Sequence, residues 1–199
     1  MGHSNSTCCS RKRKTNERVL MLGLDDAGKS KSLYYMKLNQ EIKTLPTLGF
    51  NVEQIELDRT NVIIWEVGGH KKSRAQWHHY YSNTIGLIYV VDSSDTHRME
   101  ESCKEFLGVI QHPEMQGVPV LILANKQDLS SAISTAAISD YFMLDTTLKD
   151  RNWFILSVSS VSGYGFNEAL TLLNALVTEF RKRKSSRRKR EELTEIKQS

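Results

Sequence analysis

The sequence predicts an α/β fold in which helices cover both faces of a mostly parallel, six-stranded sheet. Short apolar runs of strand length alternate with longer segments of helical period, which is the pattern of a layered α/β domain. Residues 85–92 and 118–124 are apolar almost throughout, as expected of strands that are covered on both faces. No internal repeat and no linker rich in Pro or Gly divides the chain. We therefore expect one domain, over residues 18–181, between tails at 1–17 and 182–199.

The individual elements follow from their local patterns. The β-branched segments 51–57 and 61–67 flank a turn at 58–60, which predicts a hairpin. Apolar residues recur at helical spacing over 98–111, and Cys103 lies among them, so it is most simply a core residue. The predicted strands cover residues 18–23, 51–57, 61–67, 85–92, 118–124 and 153–158, and the predicted helices cover 29–38, 98–111 and 164–181.

Composition is typical of a globular protein, with 39% hydrophobic and 25% charged residues among 199. No apolar run reaches the roughly 18 residues that suggest a transmembrane helix, and no secretory signal is recognisable. Three cysteines, two of them adjacent, do not indicate a disulfide framework. We therefore expect a protein on the cytosolic side of the membrane.

The net charge of +4 is distributed unevenly along the chain. Residues 1–14 carry a net +4 and residues 181–199 carry +6, whereas the segment between them carries −6. Basic tails on an acidic body indicate attraction to an anionic surface, because a body that grips nucleic acid would itself be basic. We expect no nucleic-acid partner.

The first candidate site is the loop that follows the first predicted strand. It matches G-x-x-x-x-G-K-[ST] and opens a predicted helix, which is the context that this phosphate-binding motif requires. Backbone N–H groups of such a loop hold phosphate oxygens, a lysine lies along the β- and γ-phosphates, and a serine hydroxyl binds Mg²⁺. The residues expected to bind nucleotide here are Gly23, Leu24, Asp25, Asp26, Ala27, Gly28, Lys29, Ser30 and Lys31.

The second candidate site follows the predicted strand 118–124 and reads Asn125-Lys126-Gln127-Asp128. The Asp128 carboxylate can accept hydrogen bonds from the N1–H and N2–H₂ groups of guanine. Adenine offers no such pair of donors and would leave the carboxylate unpaired. We therefore expect Asn125, Lys126 and Asp128 to select a guanine nucleotide, and we expect GTP or GDP with Mg²⁺ as the ligands.

Two further loops have the residues of a nucleotide-dependent switch. Glu66 ends a predicted strand, where it could hold Mg²⁺ through water, and the Gly69 amide could reach a γ-phosphate. Thr47 is placed to give the metal a second hydroxyl beside Ser30. Loops that need the γ-phosphate and its metal to stay ordered are the moving parts of a switch.

The motifs Gly-Leu-Asp-x-Ala-Gly-Lys, Pro-Thr-x-Gly-Phe-Asn-Val-Glu, Val-Gly-Gly and Asn-Lys-Gln-Asp resemble the ADP-ribosylation-factor-like (Arf-like) family of small GTPases, from about residue 18 to residue 180. The resemblance implies the small-GTPase variant of the P-loop NTPase fold. It also implies a membrane-associated role in trafficking or signalling, with an exchange factor, a GTPase-activating protein and effectors as partners. By that resemblance Ser159, Ser160 and Val161 would line the guanine. Phe50, Trp65 and Tyr80 would form the effector surface, although ordinary sheet packing explains Phe50 and Trp65 equally well.

Two residues depart from the family pattern. Glu66 stands where an Asp is usual, and His70 stands where the usual residue is the Gln that orients the attacking water. A neutral imidazole donates and accepts from two fixed nitrogens, so it is a poorer guide for that water. We expect slow hydrolysis with His70 as the catalytic residue, and a GTP-binding module with little or no hydrolysis stays open as the alternative.

Both tails indicate a membrane surface. The start of the chain fits M-G-x-x-x-[ST], the motif for myristoylation of Gly2, and Cys8 and Cys9 could take palmitate beside four basic residues. Residues 181–190 hold eight basic side chains and extend the last helix past the core. For that run a membrane patch, a nuclear-import signal and a solvated helix end stay open. For the N-terminal segment a disordered, solvated terminus stays open as the alternative to lipidation.

Overall fold

The computed structural model describes residues 17–58 and 60–198, without the side chains of residues 188 and 191–198. The six strands are β1 (Arg18–Leu22), β2 (Phe50–Leu57), β3 (Thr60–Val67), β4 (Thr84–Asp92), β5 (Val120–Asn125) and β6 (Trp153–Ser157). The α-helices are α1 (Lys29–Leu38), α2 (Lys71–Arg74), α3 (Met99–Gln111), α4 (Thr135–Phe142), α5 (Leu144–Thr147) and α6 (Phe166–Gln198). Short 3₁₀ turns lie at Trp77–Tyr80, Thr96–Arg98 and Pro113–Met115.

The strands form one sheet in the order β2-β3-β1-β4-β5-β6. β2 and β3 pair antiparallel as the predicted hairpin, and every other neighbouring pair is parallel. The central strands are continuous apolar runs because helices cover them on both sides, and all six residues of β5 are buried. The predicted mostly parallel, six-stranded α/β fold is confirmed.

Two apolar clusters form the core, one on each face of the sheet. On one face α1 and α6 contribute Leu33 and Leu173. On the other face α3 and α4 contribute Phe106 and Phe142. Cys103 is half-buried against this second cluster, and burial raises the pKa of its thiol. Because the paired strands β3, β1, β4, β5 and β6 run parallel, their carboxyl ends lie at one edge of the sheet. The loops of the candidate site lie at that edge.

The helix α6 departs most from its predicted bounds. Its apolar stripe ends near Phe180, which suggested a helix to residue 181, but the helix continues to Gln198. The added segment holds no Gly or Pro and is rich in Arg, Lys and Glu, which are good helix formers. A pair one turn apart, Arg183–Glu179, bridges the two parts. Periodicity missed the extension because it carries no apolar stripe.

Smaller differences have local causes. β5 begins at Val120 instead of residue 118, because Val118 closes a turn onto Met115 and Pro119 has no N–H to donate. The hairpin turn includes residue 59, which lies outside the described residues. In the described part of the chain, no helix combines the length and the apolar character that crossing a bilayer demands.

Candidate functional site

The phosphate loop joins β1 to α1 and depends on two glycines. Gly23 has φ +145°, and a Cβ there would stand 2.2 Å from the carbonyl oxygen of Val90. Gly28 has φ +87°, and its Cβ would stand 2.3 Å from Nδ2 of Asn125. Both positions combine a backbone conformation that side chains resist with a close neighbour. The loop is thus a close-packed turn with its backbone available to a ligand.

Lys29 begins α1 and is 5% exposed. Its Nζ donates to the carbonyl oxygen of Leu24 at 2.8 Å, which folds the side chain back along the loop. Burial lowers the pKa of Lys29 to about 8, although the carboxylates of Glu66, Asp25 and Asp26 oppose the shift. A buried ammonium without a direct ion pair among the described residues is well suited to take a phosphate as its counterion.

Ser30, Thr47 and Glu66 converge beside the loop. The hydroxyls of Ser30 and Thr47 lie 2.9 Å apart, and the Ser30 hydroxyl donates to Oε2 of Glu66 at 3.2 Å. Asn51 Nδ2 donates to the same oxygen at 2.6 Å, because Asn51 and Glu66 face each other across the β2–β3 pair. Among the described residues, no group of three or more His, Cys, Asp or Glu side chains is placed to hold a metal ion by itself. A cation here would therefore rely on hydroxyls, one carboxylate and nucleotide phosphates.

Glu66 supplies a test of whether these residues suit a cation. The residue is 1% exposed, and its Oε1 has no hydrogen-bond partner among the described residues. A buried carboxylate oxygen without a donor is costly, and a divalent cation would satisfy it. The hydroxyls and the carboxylate together fit Mg²⁺, which prefers oxygen ligands and substrate phosphates.

Gly69 lies directly against the phosphate loop. A Cβ on Gly69 would stand 2.4 Å from both the amide nitrogen of Asp25 and the carbonyl oxygen of Gly23. The neighbouring Gly68 amide donates to Gly49 at 2.9 Å, and buried Trp77 donates its Nε1–H to Gly68 at 3.0 Å. The segment after β3 therefore packs on the loop, and the Gly68–Gly49 bond joins it to the segment before β2.

His70 follows and caps the short helix α2. Its Nδ1 accepts from the backbone N–H of Lys72 at 3.4 Å, and the residue is exposed. Nδ1 carries no proton in that role, so in the neutral ring the proton lies on Nε2. While this contact holds, the imidazole offers a donor but no free acceptor.

Asn125 is fully buried and joins the phosphate loop to the base loop. Its Nδ2 donates to the carbonyl oxygen of Ala27 at 2.8 Å and to the Ser160 hydroxyl at 3.3 Å. Its Oδ1 accepts from the backbone N–H of Ser160 at 3.0 Å. These bonds connect residues 98 and 35 positions apart in the chain, so Asn125 acts as a bridge between loops.

Asp128 is exposed at the edge of the base loop, with Oδ1 accepting from the Ser159 hydroxyl at 2.6 Å. Lys126 has φ +65° and pairs with Asp92 at 2.6 Å. An open cavity of the protein is lined there by Gln127, Asp128, Ser157, Ser159, Ser162 and Tyr164. Ser160 is buried beside Asn125, whereas Val161 is half-exposed. The loops predicted to hold a guanine thus lie side by side around a cavity.

The structure adds two arginines that the sequence did not reveal. Arg98, directly before α3, pairs with Asp25 of the phosphate loop at 3.2 Å and with Asp95 at 2.6 Å. Buried Arg74 of α2 pairs with Glu101 at 2.8 Å and Glu105 at 2.9 Å on α3. Apart from the local Arg98–Asp95 pair, these contacts join residues 27 to 73 positions apart, and no local pattern marks them.

Other predicted site residues have simpler surroundings. Lys31 pairs with Glu41 at 2.9 Å. The rings of Phe50, Trp65 and Tyr80 cluster with centroids 5.0, 5.8 and 6.2 Å apart, and Phe50 is 48% exposed. Their assignment as an effector surface stays a prediction. The predicted lipidation residues Gly2, Cys8 and Cys9 lie outside the described residues.

A glycine-dependent phosphate loop, a buried lysine and a base loop at the carboxyl edge of a parallel sheet define a P-loop nucleotide-binding protein. The model of the ADP-ribosylation factor family matches residues 5–177. A solved structure of the Arl6 BBS3 small GTPase from Trypanosoma brucei with bound nucleotide analogue GppNp matches with a TM-score of 0.74. That similarity has 30% sequence identity and covers 82% of this chain and 98% of the other.

The chain belongs to the ADP-ribosylation factor family. It is a GTP-binding protein of the small-GTPase fold, and the family implies regulators and effectors in general.

Proposed function

We propose that the protein is an Arf-like switch that binds GTP with Mg²⁺, hydrolyses it slowly and recruits effectors at a membrane surface in trafficking or signalling. The observation that carries the proposal is the closure of two segments over the phosphate loop. The hydroxyl of Thr47 lies 2.9 Å from that of Ser30 in the loop, and Gly69 packs on Gly23 and Asp25. Segments that meet where a γ-phosphate would lie can respond to its presence.

Nucleotide titration tests the guanine preference. Asp128 is the only carboxylate in the base loop, and adenine would leave it without its two donors. We expect ATP to bind at least about 100-fold more weakly than GTP or GDP. Asp128→Ala should lose most of that preference, whereas Asp145→Ala, an exposed carboxylate on α5, should keep it. Equal affinities of the native chain for ATP and GTP would reject the assignment.

Slow hydrolysis rests on the contact of His70 with Lys72. With Nδ1 occupied as a cap acceptor, the ring has no free acceptor for a proton of the attacking water. Single-turnover hydrolysis should accelerate at least about 10-fold in His70→Gln, since Gln donates and accepts at once. His79→Gln is the matched control, because His79 is also exposed beyond α2. Equal rates in the native chain and His70→Gln would refute the idea.

The same assay decides between a switch that hydrolyses GTP slowly and a module that binds GTP with little or no hydrolysis. The cap contact of His70 also favours a GTP-binding module with little or no hydrolysis. Bound nucleotide that stays uncleaved over many hours in the native chain, with hydrolysis restored in His70→Gln, would favour the module.

Membrane recruitment is supported by charge. Described side chains of the basic run 181–190 are mostly exposed on the part of α6 that extends past the core. Each basic residue near an anionic bilayer contributes about 1 kcal/mol. Neutralising Lys182, Lys184 and Lys189 to Gln should therefore weaken binding of the full chain to anionic vesicles by about 100-fold. A matched variant neutralises the exposed Lys43, Lys104 and Lys149 of the body.

Two outcomes would count against this anchor. Equal vesicle binding by the two triple variants would reject the helix as the membrane contact. A free Gly2 amine in protein from cells, measured by mass spectrometry, would remove the lipid part of the proposal.

A further inference from the structure

Glu66 is the acidic residue that ends β3 beside the phosphate loop. We propose that its carboxylate binds the nucleotide-associated cation directly, at a position that a shorter aspartate would leave to a water molecule. This inference rests on the proposed function, because the cation enters with the nucleotide. It concerns the ligand set of this chain, in which Glu replaces the Asp usual in the family pattern.

The first observation in favour of direct binding is the set of distances among three oxygens. Ser30 Oγ and Thr47 Oγ1 lie 2.9 Å apart, and they lie 3.2 and 3.4 Å from Oε2 of Glu66. In an octahedral Mg²⁺ site with ligands at about 2.1 Å, neighbouring ligand oxygens are about 3 Å apart. The three oxygens therefore form a triangle of nearly the size of one face of such an octahedron.

The second step is the unpaired oxygen of the same carboxylate. Glu66 is 1% exposed, and its Oε1 has no hydrogen-bond partner in the part of the chain that the structure describes. The charge of Glu66 acts to raise the pKa of Lys29, yet the Lys29 ammonium donates its hydrogen bond to the carbonyl oxygen of Leu24 and not to Glu66. Oε2 has its donors, but a buried carboxylate oxygen without one, such as Oε1, is expensive. A directly bound divalent cation would compensate that cost more fully than a water molecule.

Asn51 positions the longer side chain. It donates to Oε2 of Glu66 at 2.6 Å from the facing position of β2, and its Nδ2 also lies 3.4 Å from Thr47 Oγ1. The amide thus holds the carboxylate next to the two hydroxyls. Glutamate is one methylene longer than aspartate, so its carboxylate can extend further beyond the strand end toward them.

The test counts water on the bound metal. Mn²⁺ replaces Mg²⁺ in the full chain loaded with a non-hydrolysable GTP analogue, and electron paramagnetic resonance in ¹⁷O-enriched water reports how many waters bind Mn²⁺. The cation has six coordination positions. Ser30, Thr47, Glu66 and two phosphate oxygens would occupy five of them, which leaves about one water. We expect one water in the native chain and two in Glu66→Asp. Glu56→Asp, the same change on an exposed position of β2, should leave the count at one.

Two waters in the native chain would overturn the proposal and show that Glu66 acts through water. If Glu66→Asp does not fold, the number of waters on Mn²⁺ in the native chain decides by itself. A second measurement is the affinity of Mn²⁺ for the analogue-loaded protein, which should fall at least about 10-fold in Glu66→Gln. An unchanged affinity would also reject direct binding. Failure of the native chain to retain the analogue would instead reject the proposed function, so the two failures are distinguishable.

Discussion

Replacing Asn125 with alanine should destabilise the protein, because this side chain is the hydrogen-bond partner of two buried backbone groups. The carbonyl oxygen of Ala27 and the N–H of Ser160 have no other described partners, and both residues are buried. Leaving a buried polar group unsatisfied costs about 1–3 kcal/mol. Two such groups predict a loss of about 2–6 kcal/mol in the free energy of unfolding, which is a large part of the stability of a typical domain.

Urea unfolding of the nucleotide-free protein measures this loss directly. For a chain of this length, each kcal/mol lowers Tm by about 2–4 °C, so a thermal scan should show a fall of at least about 4 °C. Asp128→Ala is the matched control in the same loop. Asp128 is exposed and has one described hydrogen bond, to the Ser159 hydroxyl, so its removal should cost less than about 1 kcal/mol.

Equal losses in the two variants, or a loss below about 0.5 kcal/mol in Asn125→Ala, would refute the bridging role. Nucleotide affinity gives an independent readout. Asn125→Ala should weaken GTP and GDP binding alike, because it loosens the phosphate loop from the base loop without touching the γ-phosphate position. A loss confined to GTP would contradict this reasoning.

Two further predictions concern the phosphate loop. The pKa of Lys29 is lowered to about 8 by burial from an ordinary value of 10.5, so between these pH values the unfolded chain binds more protons than the folded one. The nucleotide-free protein should therefore gain stability as pH rises through this window, by up to about 3 kcal/mol; Lys29→Met should lack the gain, and parallel pH profiles would contradict it. Gly69→Ala places a Cβ 2.4 Å from the Asp25 amide, so GTP affinity should fall at least about 10-fold more than GDP affinity. Gly108→Ala, where nothing lies within 4 Å, should leave both unchanged.

Much of the fold was predictable because the strands and loops carry local signals. Apolar runs located the central strands, and the glycine and lysine spacing located the phosphate loop to the residue. The short helices α4 and α5 were not predicted, since segments of eight and four residues give little periodicity. The far half of α6 was missed because its helix formers carry charge instead of an apolar stripe.

The sequence predicted which residues lie in the loops of the site, but it did not predict most of the contacts that these residues make. Motif chemistry placed Lys29, Ser30 and Asn125 in the right loops. It did not predict that Asn125 faces inward to bridge two loops, nor that Arg98 reaches back to Asp25. Such contacts join residues far apart in sequence, and only the sheet order and the helix packing bring them together. The contact of His70 with Lys72 likewise depends on the start of α2.

The length of α6 gives the molecule an electrical polarity. The part of the helix beyond residue 181 spans about 25 Å at 1.5 Å per residue. It carries most of the net +6 of residues 181–199, while the segment from residue 15 to residue 180 carries −6. Charges of opposite sign held apart along this helix give the part of the chain from residue 17 onward an electric dipole. Such a molecule experiences a torque within about a Debye length of any anionic surface. The dipole would turn the end of α6 toward that surface and the acidic body away from it before contact, so orientation would precede binding.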